Sequence, residues 1–252
     1  MNILGLGKHQ KPFIYLDEYI QGVDWEKLHT EVCYGISQSA WDKRFVASGV
    51  HDAFVDQEIT PYLKEVEFQN KHLSDYERTF YNKLKTYDEK IKFANALKYI
   101  PHPFWVIFIR NNKRVEGSGV FNKANADDCY WTDNSRHFPT LLNLIERMPF
   151  AKIGRVILFM TEANNKTLPH FDSREQNDRP NDDFIWFTTK PETKNIYVMD
   201  KDTQERVYAD SDKKFVWFNE MDFHGTDPVK HFSFSIRIDG IFTQELKDAI
   251  LN

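Results

Sequence analysis

Three side chains that bind metal ions well lie in the second half of this 252-residue chain. His170 and Asp172 are separated by Phe171 within the segment L-P-H-F-D. In an extended segment, residues two apart point to the same face, so both side chains can reach one ion while Phe171 turns away. A third ligand, His224, follows an apolar strand-like run later in the chain. The order and spacing predict a metal site made of two histidines and one carboxylate.

Two histidines and one carboxylate leave part of a metal's coordination sphere open, as in non-haem Fe(II) oxygenases. A structural zinc site, in contrast, is closed by four protein ligands. An iron that binds a bidentate 2-oxo acid and then dioxygen needs such open positions. The distal carboxylate of the acid also needs a cation, and a guanidinium suits it better than an ammonium. Arg237, in the alternating stretch F-S-F-S-I-R-I, is the predicted cation.

The residues around these positions resemble the Fe(II)/2-oxoglutarate-dependent oxygenases. Within that superfamily they are most similar to the aspartyl/asparaginyl β-hydroxylase-like branch, which includes free-proline hydroxylases. The resemblance rests on L-P-H-F-D at 168–172, V-W-F-N-E-M-D-F-H-G at 216–225 and S-I-R-I-D at 235–239. The sequence departs from the branch at 183–187, where it reads D-F-I-W-F in place of an R-x-H pair.

This resemblance implies a fold, a set of cofactors and a reaction. The implied fold is the double-stranded β-helix, a cupin-like jelly roll. Fe(II) would be held by His170, Asp172 and His224, with 2-oxoglutarate and O2 as co-substrates and Arg237 at the distal carboxylate. The implied reaction is hydroxylation of an unactivated C–H bond. Halogenases of the superfamily replace the metal-binding carboxylate by a small residue, so Asp172 favours hydroxylation.

Further contacts are predicted around this site. Residues expected to help bind the 2-oxo acid are Ser235, Asn195, Thr226 and Arg155. Residues expected to contact the substrate are Arg179, Arg174, Asp183, Trp186 and Arg136. The charged residues of this second set belong to segments that carry both signs of charge. Such segments suit a small polar substrate with a carboxylate and an ammonium, such as a free amino acid. The alternative is that the charged residues are simply solvated.

Two other classes of protein fit part of the pattern. A cupin-like hydrolase or isomerase using Zn(II) or Mn(II) would need no 2-oxo acid and leaves Arg237 unexplained. A non-catalytic binding module that kept the fold is the second class, and the intact triad argues against it. Arg237 could instead pair with Asp239 on the surface. Asp239 lies two residues further along the same strand, so the two side chains share a face and can pair beside the metal ligands.

Composition restricts the class of protein. A hydrophobic content of 41% with 15% aromatic residues is enough for a hydrophobic core. The formal charge is -5 and the chain has no run of five basic residues, so it lacks the electrostatic pattern of a nucleic-acid-binding protein. Cys33 and Cys129 form no disulfide framework. Since no apolar run reaches the ~20 residues of a membrane span, we expect a soluble, cytoplasmic protein. The expected partner is a small-molecule substrate.

The pattern of elements predicts one domain over 1–252, mainly β with flanking helices (α+β). It divides into a mixed N-terminal support region at 1–103 and a jelly-roll core at 104–245. Strands are predicted at 13–16, 104–110, 154–161, 184–188, 195–199, 214–218 and 232–242. Helices are predicted at 25–32, from Ser74 through Ala94, and at 138–148. A long polar loop is expected at 111–134.

Overall fold

The computed structural model describes residues 2–44, 50–54, 57–58, 73–86, 89–90, 93, 104–112, 128–172, 183–190 and 195–251. This part of the chain is mostly antiparallel β-sheet with a few helices. The strands are β1 (Ile14–Tyr15), β2 (Asp42–Arg44), β3 (Phe104–Asn112), β4 (Cys129–Trp131), β5 (Phe150–Thr161), β6 (Thr167–His170), β7 (Asp183–Phe187), β8 (Ile196–Met199), β9 (Arg206–Tyr208), β10 (Phe215–Trp217), β11 (Phe223–Thr226) and β12 (Ser233–Phe242). The helices are α1 (Trp25–Gln38), α2 (Asp52–Phe54), α3 (Asp75–Tyr81), α4 (Pro139–Glu146) and α5 (Gln244–Leu251), with a 3-10 helix at Asp133–His137.

The strands form two sheets. The large sheet has the order β1-β10-β7-β12-β5-β3-β2, with β4 paired to β3, and the small sheet has the order β6-β11-β8-β9. From β5 to β12 the chain passes repeatedly between the sheets: β5, β7, β10 and β12 belong to the large one, and β6, β8, β9 and β11 to the small one. The strands that carry the two predicted metal-binding histidines are therefore neighbours in the small sheet, while Arg237 belongs to the large sheet.

Strand β12 lies inside the large sheet, between β5 and β7. Its side chains alternate between two environments, as the two-residue repeat of a strand requires. Ile236 and Ile238 are fully buried in the main hydrophobic core. Ser235 and Arg237 line a cavity on the other face. This alternation brings polar side chains to the inside of the protein without interrupting the core.

Helix α1 covers the core side of the large sheet. It begins at the N-cap Asp24, whose carboxylate accepts from the backbone N–H of Lys27, and buries Leu28 and Val32. It runs six residues beyond the predicted end at Val32, to Gln38. Glu31 of α1 also contacts α4, where its carboxylate oxygens accept from the backbone N–H groups of Thr140 and Leu141 at 2.7 and 3.0 Å. Glu31 therefore caps the N-terminus of a different helix.

The predicted helix from Ser74 through Ala94 is wrong in its length. Ser74 and Glu77 form the predicted capping box, but α3 ends at Tyr81. A second N-terminal signal explains the break. The Thr86 hydroxyl accepts from the Glu89 backbone N–H at 3.2 Å, and the Glu89 carboxylate accepts from the Thr86 backbone N–H at 3.1 Å. The sequence thus starts a new helix where the prediction continued the old one, and residues 89, 90 and 93 are helical.

The other predicted elements are present with shifted ends, and several short ones were missed. The predicted loop at 111–134 contains β4 and the start of the 3-10 helix, while its part at 113–127 lies outside the described residues. Strands β9 and β11 and helix α5 were not predicted. Strands this short carry too few residues for a clear alternation, so whether they form depends on the strands with which they pair.

The N-terminal region contributes to the same sheet as the core strands. Strand β1 pairs with β10 and strand β2 pairs with β3. Cys33 and Cys129 are free thiols. In the described part of the chain, no helix is long and apolar enough to cross a membrane.

Candidate metal centre

His170 and His224 face each other across two neighbouring strands. They are register partners of the antiparallel pair β6 and β11, with ring centroids 4.5 Å apart. In each ring Nδ1 lies at hydrogen-bond distance from a backbone carbonyl two residues earlier, 2.8 Å from Leu168 O and 2.9 Å from Asp222 O. A carbonyl can only accept, so Nδ1 carries a proton in both rings, and in the neutral form of each ring the lone pair is on Nε2. This orientation prepares both rings as metal ligands.

Asp172 completes the triad from just beyond the end of β6. Its Oδ1 lies 3.6 Å from Nε2 of His170 and 3.8 Å from Nε2 of His224. One ligand atom from each of the three residues lies within 4.8 Å of the other two. Within the described part of the chain, this is the one group of three potential ligands that meets this condition. The predicted extended H-x-D segment therefore brings its two ligands to the same point as His224.

The protonation state of His224 suits metal binding. The residue is buried, with 6% of its surface exposed. Burial, followed by the neighbouring His170, lowers the pKa of His224 to about 4. The ring is therefore neutral at neutral pH, which is the form that binds a metal.

Arg237 lies next to the triad and contacts three carboxylates. Its Nε donates to Asp239 Oδ1 at 2.7 Å, its Nη1 to Asp172 Oδ2 at 2.5 Å and its Nη2 to Glu220 Oε2 at 2.6 Å. The guanidinium carbon also lies 3.9 Å from the centre of the Phe184 ring. Burial opposes the charge, but Asp239, Asp172 and Glu220 outweigh it and raise the pKa of Arg237 well above its ordinary value. Arg237 is therefore a permanent cation directly behind the Asp172 carboxylate.

A second guanidinium supports this cluster from the far side. Asp239 is fully buried, and its Oδ2 accepts from Nε of Arg155 at 2.9 Å. The predicted pairing of Arg237 with Asp239 is present, but its predicted place on the surface is wrong, because both residues are buried. Since Arg155 reaches Asp239 and is not among the cavity-lining residues, it lies one contact behind Arg237.

The triad and Arg237 line a cavity of about 180 Å³ between the two sheets. Its hydroxyl-bearing residues are Thr161, Thr167, Thr226 and Ser235. Its apolar wall consists of Phe104, Phe159, Trp186, Ile196 and Phe218. Arg237 is the one Lys or Arg side chain among these described lining residues. A cavity with an aromatic wall, one cation and several hydroxyls suits a small anion held beside a metal.

The residues predicted to bind the 2-oxo acid divide into two groups. Ser235 and Thr226 line the cavity with Arg237, as expected. Asn195 and Arg155 are not among its lining residues. Asn195 precedes β8, and its backbone carbonyl accepts from the Asp227 N–H at 3.1 Å.

Of the residues predicted to contact substrate, Trp186 lines the cavity. Asp183 does not, because its carboxylate accepts from the Phe242 backbone N–H at 2.9 Å and pairs with Lys247 at 2.7 Å. Arg136 is exposed on the 3-10 helix, with Nε 3.1 Å from Nε2 of the adjacent histidine. Arg174 and Arg179 lie outside the described residues.

Sequence reasoning missed two residues that contact Arg237. Glu220 lies in the turn between β10 and β11, where no strand or helix period points to a facing partner. Phe184 reads as one more apolar residue of a buried strand. Only the closeness of Glu220 to His224 in the sequence could have drawn attention to it.

No family model matches the chain, and no match is found among curated proteins. Similar solved structures include an oxidoreductase of the 2OG-Fe(II) oxygenase family from Burkholderia pseudomallei, with 13% identity and a TM-score of 0.38. That match covers 55% of this chain and 66% of the other, just under two thirds. A prolyl-4-hydroxylase from Pseudomonas putida has 8% identity and a TM-score of 0.33 over 87% of this chain and 99% of the other.

A third similar structure is a prolyl hydroxylase from Trichoplax adhaerens in complex with a peptide fragment of the hypoxia inducible factor oxygen degradation domain. It has 10% identity and a TM-score of 0.33, and the match covers 89% of this chain and 93% of the other. TM-scores at this level do not establish a shared fold.

Proposed function

We propose that this protein is an Fe(II)- and 2-oxoglutarate-dependent oxygenase that hydroxylates an unactivated C–H bond. The observation that carries the proposal is the convergence of Nε2 of His170, Nε2 of His224 and Oδ1 of Asp172 on one point. Two imidazoles and one carboxylate with open positions are the ligand set of non-haem Fe(II) oxygenases.

The path of the chain supports the fold that goes with this function. Eight consecutive strands, β5 to β12, pass repeatedly between two sheets, with the candidate ligands on β6, just after it, and on β11. This arrangement supports the double-stranded β-helix, a jelly roll whose two sheets enclose the site. In this proposal 104–245 forms the catalytic core and 1–103 supports it.

The residues present fit a bound Fe(II). Both rings have Nδ1 engaged by a backbone carbonyl, and burial keeps His224 neutral. When bound, Fe(II) would supply the activation of O2, coupled to oxidation of 2-oxoglutarate to succinate and CO2. One oxygen atom of O2 would enter succinate and the other would enter the substrate as a hydroxyl. The aromatic wall of the cavity would exclude water from the reacting atoms.

The distal carboxylate of 2-oxoglutarate has one cationic partner among the described residues that line the cavity. A guanidinium has five N–H donors, and the three carboxylate contacts of Arg237 use three of them. The other two remain for a carboxylate of the co-substrate. The hydroxyls of Ser235 and Thr226 line the same cavity and would donate to the same group.

The substrate proposed here is a small polar molecule, with a free amino acid as the first candidate. The support is that the segments predicted to contact the substrate carry both positive and negative side chains. Two of these residues, Arg174 and Arg179, lie outside the described part of the chain. Asp183 and Arg136 do not contribute to this cavity. The acidic net charge of -5 also favours a small molecule over nucleic acid.

The deciding experiment adds Fe(II) and then 2-oxoglutarate to the metal-free protein under anaerobic conditions. We expect a weak visible charge-transfer band that needs both additions, because it arises when the 2-oxo acid chelates an open iron. Succinate formation in air is then measured with a panel of amino acids, peptides and nucleosides. His224→Ala serves as the control without a complete triad.

Three outcomes separate the classes of function. A band with succinate release, stimulated by an amino acid that gains one oxygen, supports the proposal in full. Stimulation by a peptide or nucleoside alone keeps the oxygenase and overturns the substrate. Metal binding with neither a band nor succinate would favour the cupin-like hydrolase or isomerase, which uses the same three ligands without a 2-oxo acid.

A further inference from the structure

We infer that Arg237, itself held by Glu220 and Asp239, positions the Asp172 carboxylate so that a single oxygen, Oδ1, faces the metal. The inference rests on the proposed metal centre and goes beyond it, since Arg237 entered as a receptor for a co-substrate. In this role Arg237 sets the number of ligand atoms that the protein gives to the metal.

The two oxygens of Asp172 have different surroundings. Oδ1 lies 3.6 and 3.8 Å from the two histidine Nε2 atoms, on the side of the metal position. Oδ2 accepts from Nη1 of Arg237 at 2.5 Å. Carboxylates bind metals through one oxygen or through both. Bidentate binding by Asp172 would require breaking a short charge-assisted hydrogen bond, which is among the stronger polar contacts in proteins.

Arg237 is fixed in place and cannot follow Asp172 if that carboxylate rotates. All three of its nitrogens donate to carboxylates, and one face of the guanidinium packs against Phe184. Asp239, which receives Nε, is in turn held by Arg155 at 2.9 Å. A planar guanidinium fits this arrangement because its donors point in several fixed directions, whereas a lysine ammonium offers one nitrogen.

Glu220 closes the arrangement into a ring. Its backbone carbonyl accepts from the Asp172 backbone N–H at 3.0 Å, and its carboxylate accepts from Nη2 of Arg237 at 2.6 Å. Glu220 thereby holds the main chain of Asp172, Arg237 holds its side chain, and these two partners contact each other. Glu220 also lies just before β11, the strand that presents His224, so one turn supports two of the three ligands.

The consequence is an open metal site. With Oδ2 engaged, the triad supplies three ligand atoms, and the coordination positions that a second oxygen would occupy stay available. The role of Arg237 as a receptor for the distal carboxylate involves different N–H groups. The two roles can therefore be measured separately, by titrating the metal first and 2-oxoglutarate second.

The test is a metal titration of the metal-free full chain with Co(II), anaerobically and without 2-oxoglutarate. Arg237→Lys should bind Co(II) about 10- to 100-fold more weakly than the wild type, as expected when a partner of a ligand is lost. Its Co(II) d–d absorption should also change, since Oδ2 of Asp172 loses its hydrogen bond from Nη1 of Arg237. Glu220→Gln should shift the affinity the same way by about fivefold, because a neutral amide holds Arg237 less firmly.

Arg206→Lys is the matched control. Arg206 also pairs with a carboxylate, Asp227 at 2.5 Å, and its guanidinium lies 4.4 Å from the Tyr197 ring centre. It is not among the cavity-lining residues, so its exchange should leave Co(II) affinity and absorption unchanged. Circular dichroism and thermal melts establish that each variant is folded.

The inference is overturned if folded Arg237→Lys binds Co(II) like the wild type with the same absorption and loses only affinity for 2-oxoglutarate. If Arg237→Lys does not fold, Glu220→Gln decides, and unchanged Co(II) affinity there overturns it. These outcomes are independent of the proposed reaction. That proposal fails when the metal-loaded wild type neither binds nor consumes 2-oxoglutarate, whatever the variants do to the metal.

Discussion

Strand β12 separates two cavities, and each contains histidine. The metal cavity, of about 180 Å³, meets the strand at Ser235 and Arg237. A rear cavity of about 380 Å³ meets it at Ser233 and Phe234, and His29 from α1 lines that side. The neighbouring residues Phe234 and Ser235 point to opposite faces of the strand, so Phe234 lines the rear cavity and Ser235 the cavity with the triad. Ser233, the first residue of β12, lines the rear cavity at the end of the strand.

The rear cluster resembles the metal centre in one respect and differs in another. His29 has Nδ1 2.6 Å from the Thr189 hydroxyl and Nε2 3.6 Å from Sγ of Cys33, and its ring stacks on Phe234. Its ring is thus oriented through Nδ1, like those of His170 and His224. However, one helix face supplies only His29 and Cys33, one turn apart, and the third member is a neutral hydroxyl.

The difference shows what a metal site needs beyond an oriented histidine. In the metal centre, two strands in register bring two rings together, and the residue after β6 adds a carboxylate. The carboxylate carries the negative charge that a divalent cation needs, and Arg237 keeps it oriented. At the rear cluster, partial burial raises the pKa of the Cys33 thiol, so the thiol is neutral at neutral pH and adds no negative charge beside His29.

The largest expected effect comes from removing a ligand. His170→Ala or His224→Ala should abolish tight Fe(II) binding, because two remaining ligands do not hold the ion, and should remove all 2-oxoglutarate turnover. His29→Ala should leave the metal content unchanged. Metal analysis after anaerobic loading and gel filtration measures the difference. If His29→Ala lost the metal while His224→Ala retained it, the assignment of the two clusters would be reversed.

The next effect is a pH dependence of stability in the metal-free protein. The folded state holds the pKa of His224 at about 4, below its ordinary value of 6.5, so the unfolded state binds the proton more readily. Above pH 6.5 the ring is neutral in both states, and the free energy of unfolding has its full value. As the pH falls from 6.5 through 4, the unfolded state takes up the proton first and the free energy of unfolding decreases. Over the whole range this contribution of His224 amounts to about 3 kcal/mol.

Urea unfolding of the metal-free wild type and of His224→Gln at several pH values between 7 and 4 measures this contribution. We expect the wild type to lose stability more steeply than the variant as the pH falls. Parallel curves for the two proteins would show that His224 does not carry the effect.

A smaller effect is expected from adding a methyl group at a closely packed glycine on either side of the large sheet. In Gly225→Ala, a Cβ would lie 2.6 Å from the Thr167 carbonyl oxygen and 2.7 Å from the Tyr197 hydroxyl. In Gly35→Ala, on the rear side, it would lie 2.3 Å from the Phe138 ring. Both should lower the free energy of unfolding by about 1–3 kcal/mol. Only Gly225→Ala should also weaken Co(II) binding, since it displaces the strand that carries His224.

The smallest expected effect is at the rear thiol. Cys33 is exposed and Cys129 is buried, so a thiol reagent should modify one cysteine quickly and the other slowly. Cys33→Ser should remove the fast phase and leave Co(II) affinity unchanged. A change in Co(II) affinity would instead show that the two cavities are coupled through β12.

Parts of the structure follow from local sequence. The H-x-D spacing predicts that His170 and Asp172 lie on one side, as residues two apart in an extended segment do. The two side chains do approach each other, although β6 ends at His170 and Asp172 lies in the bend that follows. The same repeat on β12 predicts that Arg237 and Asp239 share a face, and the two side chains do pair. Ser74 and Glu77 form the capping box that their spacing predicts. Each of these features depends on residues a few positions apart.

The long-range partners were decided only by the tertiary structure. Nothing near Arg237 in the sequence points to Glu220, because the two meet only when the turn before β11 folds onto the large sheet. Asp183 was expected at the substrate and instead receives the Phe242 N–H and pairs with Lys247. Charge and spacing limit which residues can ligate a metal, whereas strand register and the facing of two sheets determine which partners a buried charge obtains.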